Sequence, residues 1–163
     1  MGIWDVKPDE ERVQWSFSPL VGVGPLRFGM TAEDVAAALG AAPGVTGQGY
    51  GCFTSAGVTA YYGRQCLEGV AVDALKGPQV TMDGTALVAQ VPSVMEGWLL
   101  DYTEARGADL RYTHAADPGS ADLGLVLRVQ RAGDVVLSRP LFLVREWVVN
   151  SWDCIPAEEW KTF

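Results

Sequence analysis

The chain has 163 residues, 48% of them hydrophobic and 20% charged, with a formal net charge of −8. That length suits one ordinary domain or two small ones packed together, and the composition is that of a folded chain rather than a disordered one. Twenty acidic against twelve basic residues count against nucleic acid and anionic membrane surfaces as partners, because both need clustered Lys and Arg to displace counterions.

Residues 1–16 read as an N-terminal arm that mixes Asp5, Asp9, Glu10 and Glu11 with Trp4 and Trp15. The opening residues lack the basic and apolar regions of a secretory signal, and no apolar run approaches the roughly 18 residues of a membrane span. Cys52, Cys66 and Cys154 are odd in number and form no CxxC pair, which argues against a disulfide framework. A cytoplasmic location is therefore expected.

Residues 17–77 read as a first αβ unit. Strand-like sequence through Phe17, Leu20, Val21 and Val23 leads to a short helix with Thr31 as N-cap, Asp34 completing a capping-box variant, and Gly40 as its left-handed stop. The stretch 41–49 has no periodicity and reads as a loop. Three strands follow over 50–55, 58–62 and 66–75, spaced as antiparallel hairpins. Residues 78–150 repeat the order. A strand over 79–85 precedes a helix, for which Ser93 and Glu96 suggest a capping box and Met95, Trp98, Leu99 and Tyr102 an apolar face. Strands are then expected over 109–114, 123–130 and 135–149, the last bent at Arg139-Pro140. Residues 151–163 form a C-terminal tail. The expected fold is α+β: two tandem β-α-β-β-β units, an antiparallel sheet, and helices on one face only.

The segment Phe28-Gly29-Met30-Thr31, with Val35 and then Leu39-Gly40, resembles the helix-entry motif of β-lactamase inhibitor proteins. The same motif resembles that of the outer-membrane lipoproteins that assist barrel assembly. The resemblance implies a tandem scaffold of helices on four-stranded antiparallel sheets, a look shared with bacterial immunity proteins that neutralise a partner toxin. The inhibitors carry a disulfide in each unit. Here Cys52 falls near one such position, but residues 41–49 hold no cysteine to pair with it.

The catalytic inventory is thin. His114 is the single histidine, no G-x-S-x-G elbow is present, and the glycine runs around Gly22 and Gly47 do not open a helix as a phosphate loop would. Glu33-Asp34 and Glu158-Glu159 suit helix N-termini or solvated surface. Neither a metal nor another cofactor is expected. On a sheet face left free by the helices, alternation places Thr59 and Tyr61 in the first unit, and Arg111, Thr113, Arg128 and Gln130 in the second. Arg145 and Trp147 join them if the register persists past Pro140. Trp and Arg dominate interface hot spots. Of the six tryptophans, Trp98 falls on the core face of the second helix, and Trp4, Trp15, Trp147, Trp152 and Trp160 crowd the termini, where they either pack the two chain ends against the sheet or each other or form an exposed aromatic surface. The expected function is a non-enzymatic bacterial protein-binding module of the immunity type that uses this face, with Thr59, Tyr61, Arg111, Arg128, Arg145 and Trp147 as contacts to another protein. The alternatives are a small-ligand-binding or scaffold domain, and an enzyme with an unrecognised site.

Overall fold

The computed structural model describes residues 2–150 and 154–163. The first half opens with strand β1 (Gln14–Ser18) and the hairpin β2 (Gly22–Val23) and β3 (Leu26–Arg27). Helix α1 (Ala32–Leu39) then leads into a meander of β4 (Val45–Gly47), β5 (Tyr50–Phe53), β6 (Val58–Gly63) and β7 (Cys66–Val72). The second half follows a similar order with two strands rather than three before its helix: β8 (Gln79–Met82), β9 (Thr85–Ala86), α2 (Pro92–Arg106), β10 (Arg111–Tyr112), β11 (Pro118–Ser120), β12 (Leu125–Ala132) and β13 (Val135–Leu143). Helix α3 (Arg145–Asn150) and a 3-10 helix (Ala157–Lys161) follow.

The mixed α+β class holds, but the sheets are larger than expected. The two meanders fuse into one eight-stranded antiparallel sheet, ordered β10-β11-β12-β13-β7-β6-β5-β4. They join last strand to last strand, where Leu141, Phe142 and Leu143 pair with Ala71, Val70 and Gly69. The leading strands leave this sheet and build a second one, ordered β3-β2-β1-β8-β9. In it β1 and β8 run parallel, with Trp15 opposite Val80, which corrects the all-antiparallel expectation. The buried Arg12 holds this arrangement. Its guanidinium donates to the carbonyls of Ala74 (2.7 Å) and Gly77 (2.8 Å), so the chain just before β1 is tied to the chain just before β8 and both strands start from one end.

Local chemistry explains the helix ends. Thr31 accepts from the Asp34 N–H at 3.1 Å and Asp34 accepts from the Thr31 N–H at 3.2 Å, the reciprocal pair expected of a capping box. Gly40 closes α1 with φ +67°, a left-handed value that favours glycine. Helix α2 starts differently. Val91 is its N-cap and Pro92 occupies the first turn, with no side-chain cap bond. Proline there is preset for the helix and has no N–H to satisfy, and Glu96 instead accepts from the Tyr112 hydroxyl at 2.7 Å.

The main core lies between the eight-stranded sheet and a layer made of α1, the five-stranded sheet and α2. Val35, Leu99, Phe17, Met82, Val70, Leu125 and Phe142 meet there. A second, smaller core lies on the opposite face of the large sheet. Ala71, Val126, Leu141 and Leu143 pack there against Val148 of α3 and Ile155, with Trp147 and Trp160 alongside. The helices therefore do not share one face, and the face expected to stand open is covered by residues 145–150 and 154–163. Strand β13 runs through Pro140 without ending there, and its ladder with β7 begins only at Leu141. Past Leu143 the chain turns helical, because Val144, Trp147 and Val148 fall at i, i+3 and i+4 and bury one side of a turn.

Candidate functional site

Alternation along β6, β12 and β13 aims Tyr61, Arg128, Gln130 and Arg139 at the covered face. They converge on Glu159, whose side chain is fully buried. Arg139 donates to both carboxylate oxygens, from Nε at 2.6 Å and from Nη2 at 3.3 Å, and the Tyr61 hydroxyl donates to Oε2. Arg128 donates from Nη1 to the Glu159 carbonyl at 2.7 Å and from Nε to Asp117 at 3.1 Å. Arg139 Nη1 donates to Gln130 Oε1 at 3.0 Å, and Gln130 Nε2 donates to Asp73 at 2.7 Å. The Trp160 ring lies 4.3 Å from the Arg128 guanidinium carbon and 4.4 Å from the His114 ring.

This arrangement sets the charge states. Burial pushes the Glu159 carboxyl up, but the charge and hydrogen bonds of Arg139, the Tyr61 bond and the charge of Arg128 outweigh it, so its pKa lies below the ordinary glutamate range. Burial lowers the Arg139 pKa, and Glu159 more than restores it. Burial, with the Glu159 charge behind it, pushes the Tyr61 phenol far up, so it stays a donor. The group recognises a carboxylate through charge-assisted bonds, two of them from one guanidinium.

The structure brings together only part of the expected contact set. Tyr61 and Arg128 are 3% and 6% exposed and meet across Glu159. Thr59 is half-buried nearby and helps line a cavity of about 210 Å³ with Asp73, Gln130, Arg139 and Thr162. Arg111 sits in the edge strand β10, donating to Asp109 at 3.1 Å and to the Val148 carbonyl at 3.3 Å. Arg145 and Trp147 lie on α3 rather than on a strand. Arg145 pairs with Asp122, and the Trp147 indole donates to Glu68. Trp15, Trp98, Trp147 and Trp160 pack on the two cores, and Trp4 lies against Arg131; Trp152 lies outside the described residues.

Sequence reasoning missed Arg139 and Glu159. Arg139 shares parity with Leu141 and Leu143, so a straight strand would have placed it on this face. Glu159 belongs to the pair read as solvated surface, and nothing local marks it as buried.

A second concavity lies on the helix side, at the β4 end of the large sheet. Helix α1 has only eight residues and leaves an apolar cleft of about 840 Å³. Ala32 and Ala36 of α1 face Pro43, Gly51, Phe53 and Tyr62 across it, and Gln48 and Gln65 stand on its rim. The single charged residue in the lining is Glu33. Thr46 and Gly51, opposite each other in register, both line it, and β4 is the outermost strand with all three residues exposed. Burial raises the Tyr62 phenol pKa.

Among the described residues no three His, Cys, Asp or Glu side chains group as metal ligands, and no helix is long and apolar enough to cross a membrane. The chain matches no protein-family model, no curated protein and no solved structure.

Proposed function

We propose that the chain is a non-enzymatic protein-binding module of the inhibitor or immunity type, and that it docks its partner at the helix-side cleft beside β4. The observation that carries this reading is the coincidence of an apolar cleft with an open sheet edge. A segment added alongside β4 in extended form gains main-chain hydrogen bonds from the edge and turns alternate side chains past Thr46 toward the cleft. The occupant is an extended stretch of a partner protein with alternating apolar residues and a Lys or Arg opposite Glu33. That sign follows from the acidic lining and from the chain's net charge of −8, which attracts basic partners.

The test pans a library of extended octapeptides against the full chain, with Ala36→Trp, which fills the cleft, and Glu33→Lys as controls. Enriched peptides are expected to alternate apolar and polar residues, to carry a basic residue, and to lose at least tenfold in affinity on Ala36→Trp. Peptides that bind the wild type and Ala36→Trp chains equally would remove the cleft from the reading.

A further inference from the structure

We infer that the sheet face around Arg128 and Arg139 is a binding site for a glutamate-bearing, tryptophan-flanked peptide segment, filled in this structure by the chain's own residues 154–163.

The two guanidiniums that recognise the segment belong to the sheet and have anchors there that do not involve it. Arg128 is anchored by Asp117 at 3.1 Å, and Asp117 in turn accepts from the Thr113 hydroxyl at 2.9 Å. Arg139 is anchored by Gln130 at 3.0 Å. Gln130 is itself fixed at both ends, donating to Asp73 at 2.7 Å and accepting from the Ala74 N–H at 2.9 Å. The two guanidiniums therefore keep their aim whether or not a carboxylate arrives, which is the preorganisation that tight recognition requires. What the segment contributes is ligand chemistry in compact form: one side-chain carboxylate for Arg139 and Tyr61, one carbonyl for Arg128, and one indole beneath a guanidinium. Arg128 keeps Asp117 as its counter-ion without the segment, whereas Arg139 has its paired carboxylate only in Glu159, and a buried guanidinium left without one is costly.

The internal occupant fits incompletely. The buried Trp160 Nε1 has no hydrogen-bond acceptor among the described residues, and a concavity of about 210 Å³ lined by Thr59, Gln130, Arg139 and Thr162 adjoins the segment. A partner segment with an acceptor opposite the indole and a larger side chain in that cavity satisfies both. The ligand is therefore an acidic, aromatic stretch of another protein that displaces residues 154–163. It is distinct in charge and place from the basic segment assigned to the cleft.

The experiment uses the full chain carrying Glu159→Arg, which sets a third cation against Arg128 and Arg139 and expels the segment. Trp160→Ala serves as a milder second variant. The probe is a fluorescein-labelled peptide with the sequence of residues Cys154–Phe163, followed by polarisation, with hydrogen exchange reporting protection of β12 and β13. Glu159→Arg is expected to bind the probe at least tenfold more tightly than the wild type does. A probe with Gln in place of its Glu159 is expected to bind that variant at least tenfold more weakly, and adding Arg139→Met to the chain should remove binding. Trp160→Ala should bind the probe between these limits. Equal binding of the Glu and Gln probes, or no binding by a variant whose β12 and β13 stay protected, overturns the inference. So does loss of that protection in both variants, because the face would then not exist apart from its internal occupant. A wild-type dimer that exchanges these residues between copies would overturn the assignment to a partner protein.

Discussion

The two faces of the eight-stranded sheet are built from alternate residues of the same strands, yet they are held by different physics. Towards α1 and α2, β12 and β13 present Leu125, Leu127 and Phe142 to an apolar core. Towards residues 154–163 the neighbouring positions present Arg128, Gln130 and Arg139 to a buried carboxylate. The first face is non-directional, and its stability scales with the area and volume it fills. The second has a smaller apolar core of its own and also depends on each buried charge keeping its partner, since a buried pair is weak as a net stabiliser but severe when half of it is lost. One face should therefore respond to volume and the other to pairing, and each expectation below separates the two.

The largest effect is expected from Phe142→Ala. The Phe142 side chain is fully buried, and its ring centroid lies 4.5 Å from that of Phe17. Truncation should cost about 3–5 kcal/mol, the usual range for a buried aromatic. Urea denaturation measures it, and the loss should persist unchanged from pH 5 to 8. A cost under about 1 kcal/mol would mean that the helix-side core collapses around the gap more readily than close-packed interiors do.

Glu159→Gln should cost about 3–5 kcal/mol as well, through a different cause: it leaves the Arg139 charge buried without its counter-ion. The comparison sharpens in the combined variant Tyr61→Phe, Arg139→Met and Glu159→Leu, which removes the donors and the acceptor together. That variant should return to within about 1 kcal/mol of the wild type or exceed it, as apolar replacements of buried ion groups do. No such rescue exists for Phe142→Ala. If the combined variant is less stable than Glu159→Gln alone, the polar face is more than a set of paired groups.

Of the two faces, acid should act on the polar one. Glu159 has a depressed pKa in the folded chain. Its contribution is therefore complete above the unfolded glutamate value of about 4.3 and is lost as pH falls through the folded value. The thermal midpoint of the wild type should drop below about pH 4, with a shallower drop in the combined variant. A residual acid slope should remain there. Burial raises the Asp109 pKa, but the backbone N–H groups of Asp122 and Ala121, with Ser120 and Arg111, hold it well below the ordinary aspartate range. Equal slopes in the two proteins would show that Glu159 does not govern the acid limb.

The same contrast explains what could be read in the chain. The apolar face was legible because it is periodic. Val58, Ala60, Val70 and Val72 alternate as expected and all are buried, and the Thr31 to Gly40 helix matches its sequence signature from cap to stop. The parity of Tyr61, Arg128 and Gln130 was legible too, and they do share one face. Their covering was not, because Glu158-Glu159 carries no pattern and buries Glu159 only by meeting Arg139 twenty residues away. The loop at 41–49 hid β4, a three-residue strand with every residue exposed and no apolar side to betray it. The Asp83-Gly84 pair did carry a hairpin signal. Both residues have positive φ, +49° and +81°, and turn β8 into β9.

The smallest effect tests whether the two faces are independent. Thr31→Ala removes the oxygen that accepts the Asp34 N–H at 3.1 Å and should cost about 1 kcal/mol, the usual loss for an N-cap hydroxyl. Helix α1 contacts β7, a strand that serves both faces through Val70 and Ala71. If the faces are energetically separate, hydrogen exchange should quicken in α1 and along the cleft at Ala32 and Ala36, and stay unchanged at β12, β13 and residues 157–161. A double variant with Glu159→Gln should then lose the sum of the two single costs to within about 0.5 kcal/mol, as distant sites do. A departure larger than that would point to coupling through β7, a strand with a residue in each core that also touches the weakened helix.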